Sequence, residues 1–371
     1  MTENQIELHN LPELLLPWFR ENKRDLPWRK DHDPYHIWLS EIMLQQTRVE
    51  AVKGYYTRFL QQYPTIQALA QAEDQQLAKL WEGLGYYSRM RNLKKAADII
   101  CTQYAGCFPG NYEDVRSLPG VGDYTAGAIC SIAFNQKTPA VDGNVLRVFS
   151  RLTNDATPID SPAMKKNTAI ALQKIYPEQA GDFTQALMEL GATVCGPNRK
   201  PDCDLCPCKN ICLAYQKNTA SALPVKTPKK SRREEDLTVF ILQYDDCFAL
   251  RKREDKGLLA GLWEFPNVPG HLQPQQAVEL LTEQGYCIKE ILRQTEKKHI
   301  FTHIQWNMRG FYIRVEKMLP ICQWMFTEQI DREVSLPTAF RQFWIDRELF
   351  VDKELSSCYD IENETEEDSN G

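Results

Sequence analysis

Leu118-Pro119-Gly120-Val121-Gly122-Asp123-Tyr124-Thr125-Ala126-Gly127-Ala128 is the stretch whose reading decides the fold. Its glycines permit a tight hairpin ahead of a run, DYTAGAICSIAF, that reads as a helix. Amides exposed at such a helix start hold a phosphate without any side chain, whereas the same Pro-Gly-x-Gly pattern also makes plain turns between packed helices. The surroundings decide between these. From residue 11 to about 215 the apolar positions recur at three and four, as in Val145, Val148, Phe149 and Leu152, and in Phe183, Leu187, Leu190 and Val194. These stripes are core, and the region reads as mostly helical.

Between about 217 and 235 the pattern breaks into NTASALPVKTPKKSRREE, with two prolines and the cations Lys226, Lys229, Lys230, Arg232 and Arg233. It reads as an interdomain linker whose cations either touch a nucleic-acid backbone or form a solvated charge run. From 236 onward, LTVFILQY and CFALRKR are β-rich, QPQQAVELLTEQG is helical, and HIFTHIQWNMRGFYIRV reads as another pair of strands, so a second domain of α+β type is expected.

A length of 371 residues and an apolar fraction of 43% suit two globular domains. The start, MTENQIELHN, has no basic stretch followed by an apolar run, and no segment approaches the roughly 18 apolar residues of a membrane span, which predicts a cytoplasmic protein. The net charge of -6 is unevenly spread. Residues 352–371 carry eight acidic groups against one basic, a net of -7, so the remainder stands at +1. An acidic, disordered tail over 351–371 and a nearly neutral body with room for a local basic face are expected.

Twelve cysteines in so long a chain do not make a disulfide scaffold. Four of them, Cys195, Cys203, Cys206 and Cys212, follow C-x7-C-x2-C-x5-C, which suits ligands of a metal centre. Iron–sulfur, zinc and disulfide readings all remain open on spacing alone, and Cys208 is a spare thiol inside the loop. Two carboxylates also stand out. Asp142, in Val141-Asp142-Gly143-Asn144, precedes a clear helix and can simply cap it. Glu41 lies in HIWLSEIMLQQTRVE, an apolar helical segment where an acid is costly unless paired or used.

Together, LSEIMLQQTRVE, WEGLGYYSR at 81–89, LPGVGDYTAGA, VDGNVLRV and the cysteine loop resemble adenine DNA glycosylases of the MutY type, within the endonuclease III superfamily. The resemblance spans about residues 10–215 and continues more loosely to about 316. It implies a mainly α N-terminal part over 1–216, a helix-hairpin-helix glycosylase with a six-helix domain and an iron–sulfur cluster domain (loop 195–212). The linker over 217–235 would lead to a Nudix-like α+β domain over 236–350. It also implies a monomer acting on double-stranded DNA, removing adenine mispaired with 8-oxoguanine or guanine after flipping it from the stack.

By that resemblance Glu41 is the general acid and Asp142 the ionised partner of an oxocarbenium-like state, with Tyr124 and Asn144 orienting the centre. Superfamily members that also cut the backbone carry lysine where Tyr124 stands, so a monofunctional enzyme is expected. Arg24, Trp28, Leu44 and Gln185 resemble the lining of an adenine pocket. Gln46, Leu84 and Tyr86 resemble the residues that wedge into the DNA beside the flipped base, and Gly120 and Gly122 the phosphate-gripping hairpin. One 4Fe-4S cluster on Cys195, Cys203, Cys206 and Cys212 is implied, although the first gap here is seven residues where the family usually has six. Its role is structural, holding Arg199 and Lys200 against phosphates. GLLAGLWEFPN at 257–267 resembles the entry to a Nudix fold, but the following helix lacks the glutamates that would hold magnesium. The family uses this domain to read 8-oxoguanine through Phe-Ser-His, for which this chain has Phe301-Thr302-His303.

Overall fold

Residues 8–197, 200–228 and 231–347 are described by the computed structural model. The acidic tail, Arg199, Lys229 and Lys230 lie outside the described residues. The chain divides into two compact units, Met1–Ala72 with Ser88–Lys229, and Glu73–Tyr87 with Lys230–Gly371.

In the first unit, helices Pro34–Leu44, Val49–Gln62, Ser88–Gln103, Tyr112–Ser117 and Asp123–Phe134 pack together, with Trp38, Phe59, Leu93 and Ile129 fully buried or nearly so. The stripes seen in the sequence then build a second cluster. Val145, Val148, Phe149 and Leu152 of helix Gly143–Leu152 meet Phe183, Leu187 and Leu190 of helix Ala180–Thr193, closed by Leu11, Leu15 and Phe19 of helix Leu11–Asn22. The hairpin at 118–122 joins helices Tyr112–Ser117 and Asp123–Phe134; there Gly120 takes φ +79 and a Cβ would meet Asn92 Cβ at 2.8 Å. That position requires glycine.

The second unit is a mixed sheet in the order β3-β2-β1-β6-β5, from β1 (Arg233–Tyr244), β2 (Cys247–Lys252), β3 (Trp263–Glu264), β5 (Ile288–Ile300) and β6 (Ile304–Val315). The strands β4 (Asn267–Pro269) and β7 (Gln323–Phe326) pair with β1 and β2. β1 and β6 run parallel, with Val239 opposite Gly310, and β5 and β6 are antiparallel. Successive residues of β1 face opposite sides. Val239 and Ile241 join Phe340, Phe343 and Trp344 of helix Thr338–Asp346, while Phe240 and Leu242 join Ala277 and Leu281 of helix Pro274–Glu283. Helices thus cover both faces, the layered architecture expected of a sheet buried on two sides.

Two features depart from the sequence reading. The strand β1 starts at Arg233, inside the expected linker. Residues 220–227 are tied to the first unit: Arg151 Nε donates to the carbonyls of Ala220 and Leu223, Ile159 N–H to Val225, and Thr227 Oγ1 to Asp160 at 3.0 Å. Residues 73–87, read as part of the helical region, belong with the second unit. There Lys79 Nζ donates to the Val334 carbonyl at 2.8 Å, and the nearly buried Glu82 accepts from Leu336 N–H at 3.0 Å. A buried carboxylate needs such partners, and those partners lie more than 250 residues away in sequence. No helix among the described residues is long and apolar enough to cross a membrane.

Candidate active site of the helical unit

Glu41 projects from helix Pro34–Leu44, which is apolar nearly all round, and it is 6% exposed. Burial dominates its chemistry and pushes its pKa up to about 7. The Tyr124 phenol, donating to Oε2 at 2.5 Å, opposes that rise, and the charge of Asp142 adds to it. Tyr124 stands at the second position of helix Asp123–Phe134, just after the hairpin, and delivers its hydroxyl into the site.

Asp142 is both of the things its sequence allows. It caps helix Gly143–Leu152, Oδ1 accepting from Val145 N–H at 2.7 Å, while Oδ2 accepts from the Asn144 amide at 2.7 Å. Burial raises its pKa above the ordinary aspartate value, with the two donors and Arg147 pulling the other way. The two carboxyls therefore differ in what faces them, one phenol against two N–H donors and a nearby guanidinium. Arg147 in turn donates Nη2 to Asn144 Oδ1 at 2.7 Å and to the Gly191 carbonyl at 2.8 Å. A Cβ on Gly191 would meet Asn144 Cβ at 2.6 Å, so the helix carrying it approaches the site as only glycine permits.

Glu41, Asp142, Tyr124 and Asn144 line one cavity of about 330 Å³, together with Arg24, Trp28, Leu44, Gln185 and Gln46. They come from five separate stretches of the first 190 residues, 24–28, 41–46, 124, 142–144 and 185. Trp28 is packed edge-on against Tyr56, with ring centroids 5.5 Å apart. Gln46 is exposed and has φ +60.

Sequence reasoning missed two residues here, Glu189 and Arg29. Glu189 is fully buried and accepts from Arg24 Nε at 2.7 Å and from Arg29 Nη2 at 2.8 Å. Burial alone would raise its pKa, but these guanidinium bonds overturn that and hold it below the usual value. Arg29 also donates Nε to Gln185 Oε1 at 3.1 Å, fixing which end of that amide is turned away from it. A signal existed. Glu189 sits in an apolar helical stripe one turn after Gln185, the same anomaly that singles out Glu41.

The cysteine loop follows helix Ala180–Thr193. Cys195, Cys203, Cys206 and Cys212 line one recess walled by Val148, Leu152, Leu190 and Val194, and Arg151 Nη1 lies 3.0 Å from Cys195 Sγ. Cys208 is fully buried in the apolar cluster instead and does not line that recess. Among the described residues, no three His, Cys, Asp or Glu side chains form a group able to hold a single metal ion.

In the second unit, Thr302 and His303 are exposed on the turn between β5 and β6, which Phe301 N–H closes onto the Ile304 carbonyl at 2.8 Å. Phe301 packs edge-on between His299, at 4.5 Å, and Trp306, at 4.9 Å. Tyr86, 45% exposed, lies with its phenol 2.8 Å from Thr302 Oγ1. Leu84, by contrast, is 5% exposed and so occupies a buried position, unlike Tyr86 in the same loop.

Residues 39–177 match the HhH-GPD superfamily of base excision DNA repair proteins, and residues 238–346 match the NUDIX domain. A solved thermostable thymine-DNA glycosylase superposes with a TM-score of 0.52 at 29% identity, covering 57% of this chain and 97% of its own. Fold and site thus define a helix-hairpin-helix base-excision glycosylase joined to a Nudix domain. The chain is 36% identical to the adenine DNA glycosylase of Rattus norvegicus, over 88% of this chain and 76% of that one. It is 38% identical to the enzyme of Mus musculus, over 82% and 70%. The chain belongs to the adenine DNA glycosylase family.

Proposed function

We propose that this enzyme excises adenine mispaired with 8-oxoguanine or guanine in double-stranded DNA, by hydrolysis without a lyase step. The observation that carries this is the carboxyl pair in one cavity, where burial pushes the Glu41 pKa up to about 7. Adenine leaves poorly until a ring nitrogen is protonated, and Glu41 supplies that proton in a site buried enough to keep it. Asp142, held by Asn144 and the Val145 amide, faces the positive charge that develops on the sugar. Tyr124 supports Glu41 through its hydrogen bond, and once Glu41 has given up its proton the same bond stabilises the anion.

The cavity also suits a flipped purine. Trp28 offers an aromatic wall, Gln185 an amide held by Arg29, and Leu44 an apolar contact. Gly120 and Gly122 would grip a phosphate at the start of helix Asp123–Phe134, while Gln46 and Tyr86 would enter the stack. Thr302, on its exposed turn beside His303, would read the base opposite adenine.

The four cysteines that share a recess are proposed to hold one 4Fe-4S cluster. Their thiols line one largely apolar recess, with Arg151 Nη1 at 3.0 Å from Cys195 Sγ, a setting that suits a thiolate-held cluster. When bound, such a cluster supplies a rigid clamp on the loop from 195 to 212, and the residues that brace it are Arg147 and Arg151, both donating to the Cys195 carbonyl. The enzyme would act as a monomer in the cytoplasm, where its thiols stay reduced.

Duplexes carrying adenine opposite 8-oxoguanine, guanine, cytosine or thymine, incubated with the protein and then cleaved with alkali at abasic sites, test the reading. Strand breaks are expected for the first two. Breaks without alkali, or efficient borohydride trapping of the protein on DNA, would overturn the hydrolytic assignment.

A further inference from the structure

Helix Pro34–Leu44, which carries Glu41, ends where Leu44, Gln45, Gln46 and Thr47 line the cavity. An α-helix leaves its last carbonyls without a donor of its own, so each must find one elsewhere. The Leu44 carbonyl accepts from Thr47 N–H at 3.2 Å. Those of Ile42 and Met43 both accept from Arg89 Nη1, at 2.8 and 2.9 Å. The same nitrogen donates to the Gln45 carbonyl at 2.7 Å, its two protons shared among three acceptors, and Nη2 donates to Thr47 Oγ1 at 3.4 Å. Arg89 stands in the first turn of helix Ser88–Gln103, more than 40 residues along the chain, and is 8% exposed.

A buried cation is costly unless it is bonded, and the carbonyl end of a helix offers both acceptors and the negative pole of its dipole. The planar fork of arginine spans several acceptors at once, whereas a lysine ammonium is a single point. Two of the bonds, to Gln45 and to Thr47, flank Gln46 on either side. Gln46 has a left-handed backbone, φ +60, and its side chain is exposed. A residue with a Cβ keeps such a backbone where its surroundings dictate it, and here the buried guanidinium is part of what dictates it.

We propose that Arg89 is a positioning residue for DNA engagement: by capping the helix that carries Glu41 it fixes the turn at 45–47, so that the Gln46 side chain stands out of the surface ready to enter the stack. It acts through the carbonyls of residues 42, 43 and 45 and through the Thr47 hydroxyl. This rests on the reading of Gln46 as a group that enters the DNA.

A double-mutant cycle on the full chain tests it, with 2-aminopurine in place of the target adenine opposite 8-oxoguanine. The fluorescence of that base rises as it leaves the stack, and titration gives the duplex affinity as well. In the parent, Gln46→Ala is expected to lower affinity and extrusion about tenfold, and Arg89→Lys, which keeps the charge and loses the fork, to do about the same. Once Arg89→Lys is present, adding Gln46→Ala should cost less than about twofold, because a side chain that is no longer aimed has little left to lose. Thermal melts of each variant show that the chain is folded. Should Arg89→Lys not fold, Thr47→Val removes the Nη2 acceptor without disturbing the guanidinium and is expected to give a smaller loss, about threefold, that is again not additive with Gln46→Ala. A folded Arg89→Lys, or in its place Thr47→Val, in which Gln46→Ala still costs its full tenfold overturns the proposal while leaving Gln46 in its role. A silent Gln46→Ala in the parent removes that role and the proposal with it.

Discussion

Glu41 and Thr302 each meet a tyrosine phenol, Glu41 buried at the wall of a cavity and Thr302 on an exposed turn, so the same kind of bond sits in two different surroundings. Glu41 is buried, so desolvation pushes its pKa up to about 7 and the phenol trims that rise. At Thr302 there is no charge to shift, and what a phenol can control is the direction in which a hydroxyl points. Burial turns a hydrogen bond into control of charge; exposure leaves it control of geometry. On the proposed function, catalysis falls in the first kind of place and reading of a base edge in the second.

Replacing the buried acid breaks this contrast most severely. Glu41→Gln is expected to keep mispaired duplex bound in a mobility-shift assay while adenine release falls roughly 10²- to 10⁴-fold. Normal turnover would remove Glu41 as the acid. Next in size is Gly191→Ala, whose methyl collides with Asn144 and should cost about 1–3 kcal/mol in urea denaturation, with a parallel loss of activity. A variant as stable and active as the parent would show that the approach of the two helices is not needed.

The pH dependence of stability sharpens the same comparison. Glu41 has a folded pKa of about 7 against 4.5 for an unperturbed glutamate, so the stability it contributes is fully present below about pH 4.5 and is lost as pH rises through about 7. Relative to the parent, Glu41→Gln should therefore gain stability across that window, on the order of 1–3 kcal/mol, measured by thermal melts at fixed salt. A constant difference from pH 4 to 8 would mean that the carboxyl is not held protonated. Because the Tyr124 bond lowers the pKa of Glu41, Tyr124→Phe should shift the alkaline limb of the rate profile upward from about 7, and a downward shift would contradict that role.

On the exposed side the effects are smaller. Thr302→Ala should narrow the preference for 8-oxoguanine over guanine about three- to tenfold in single-turnover assays while leaving the rate of chemistry on a saturated duplex nearly intact. A loss of chemistry with the preference preserved would reverse the division between the two regions.

Much of the helical unit was legible because its signals are local. A hairpin needs glycine at a left-handed position, a cap needs Asp142 just before Gly143, and core stripes repeat every three or four residues. Glu41 announced itself as an acid among apolar neighbours. Glu189 carried the same signal and passed unnoticed because Phe183, Leu187 and Leu190 around it read as core. Arg29 had no signal, since a surface-type arginine acquires meaning through Gln185 and Glu189 some 160 residues on. Helices Thr327–Glu333 and Thr338–Asp346 were likewise not read, although Phe340, Phe343 and Trp344 form much of one face of the second core.

The order of residues by itself determined which segments become helix or strand, where the hairpin turns, and which chemistries are on hand, because those follow from backbone freedom and from patterns a few residues long. Tertiary structure decided that burial pushes the Glu41 pKa up to about 7, which cysteine stays out of the shared recess, and that residues 73–87 fold with the second unit. Each of these depends on desolvation or on a partner far along the chain, and neither exists until the chain has closed on itself.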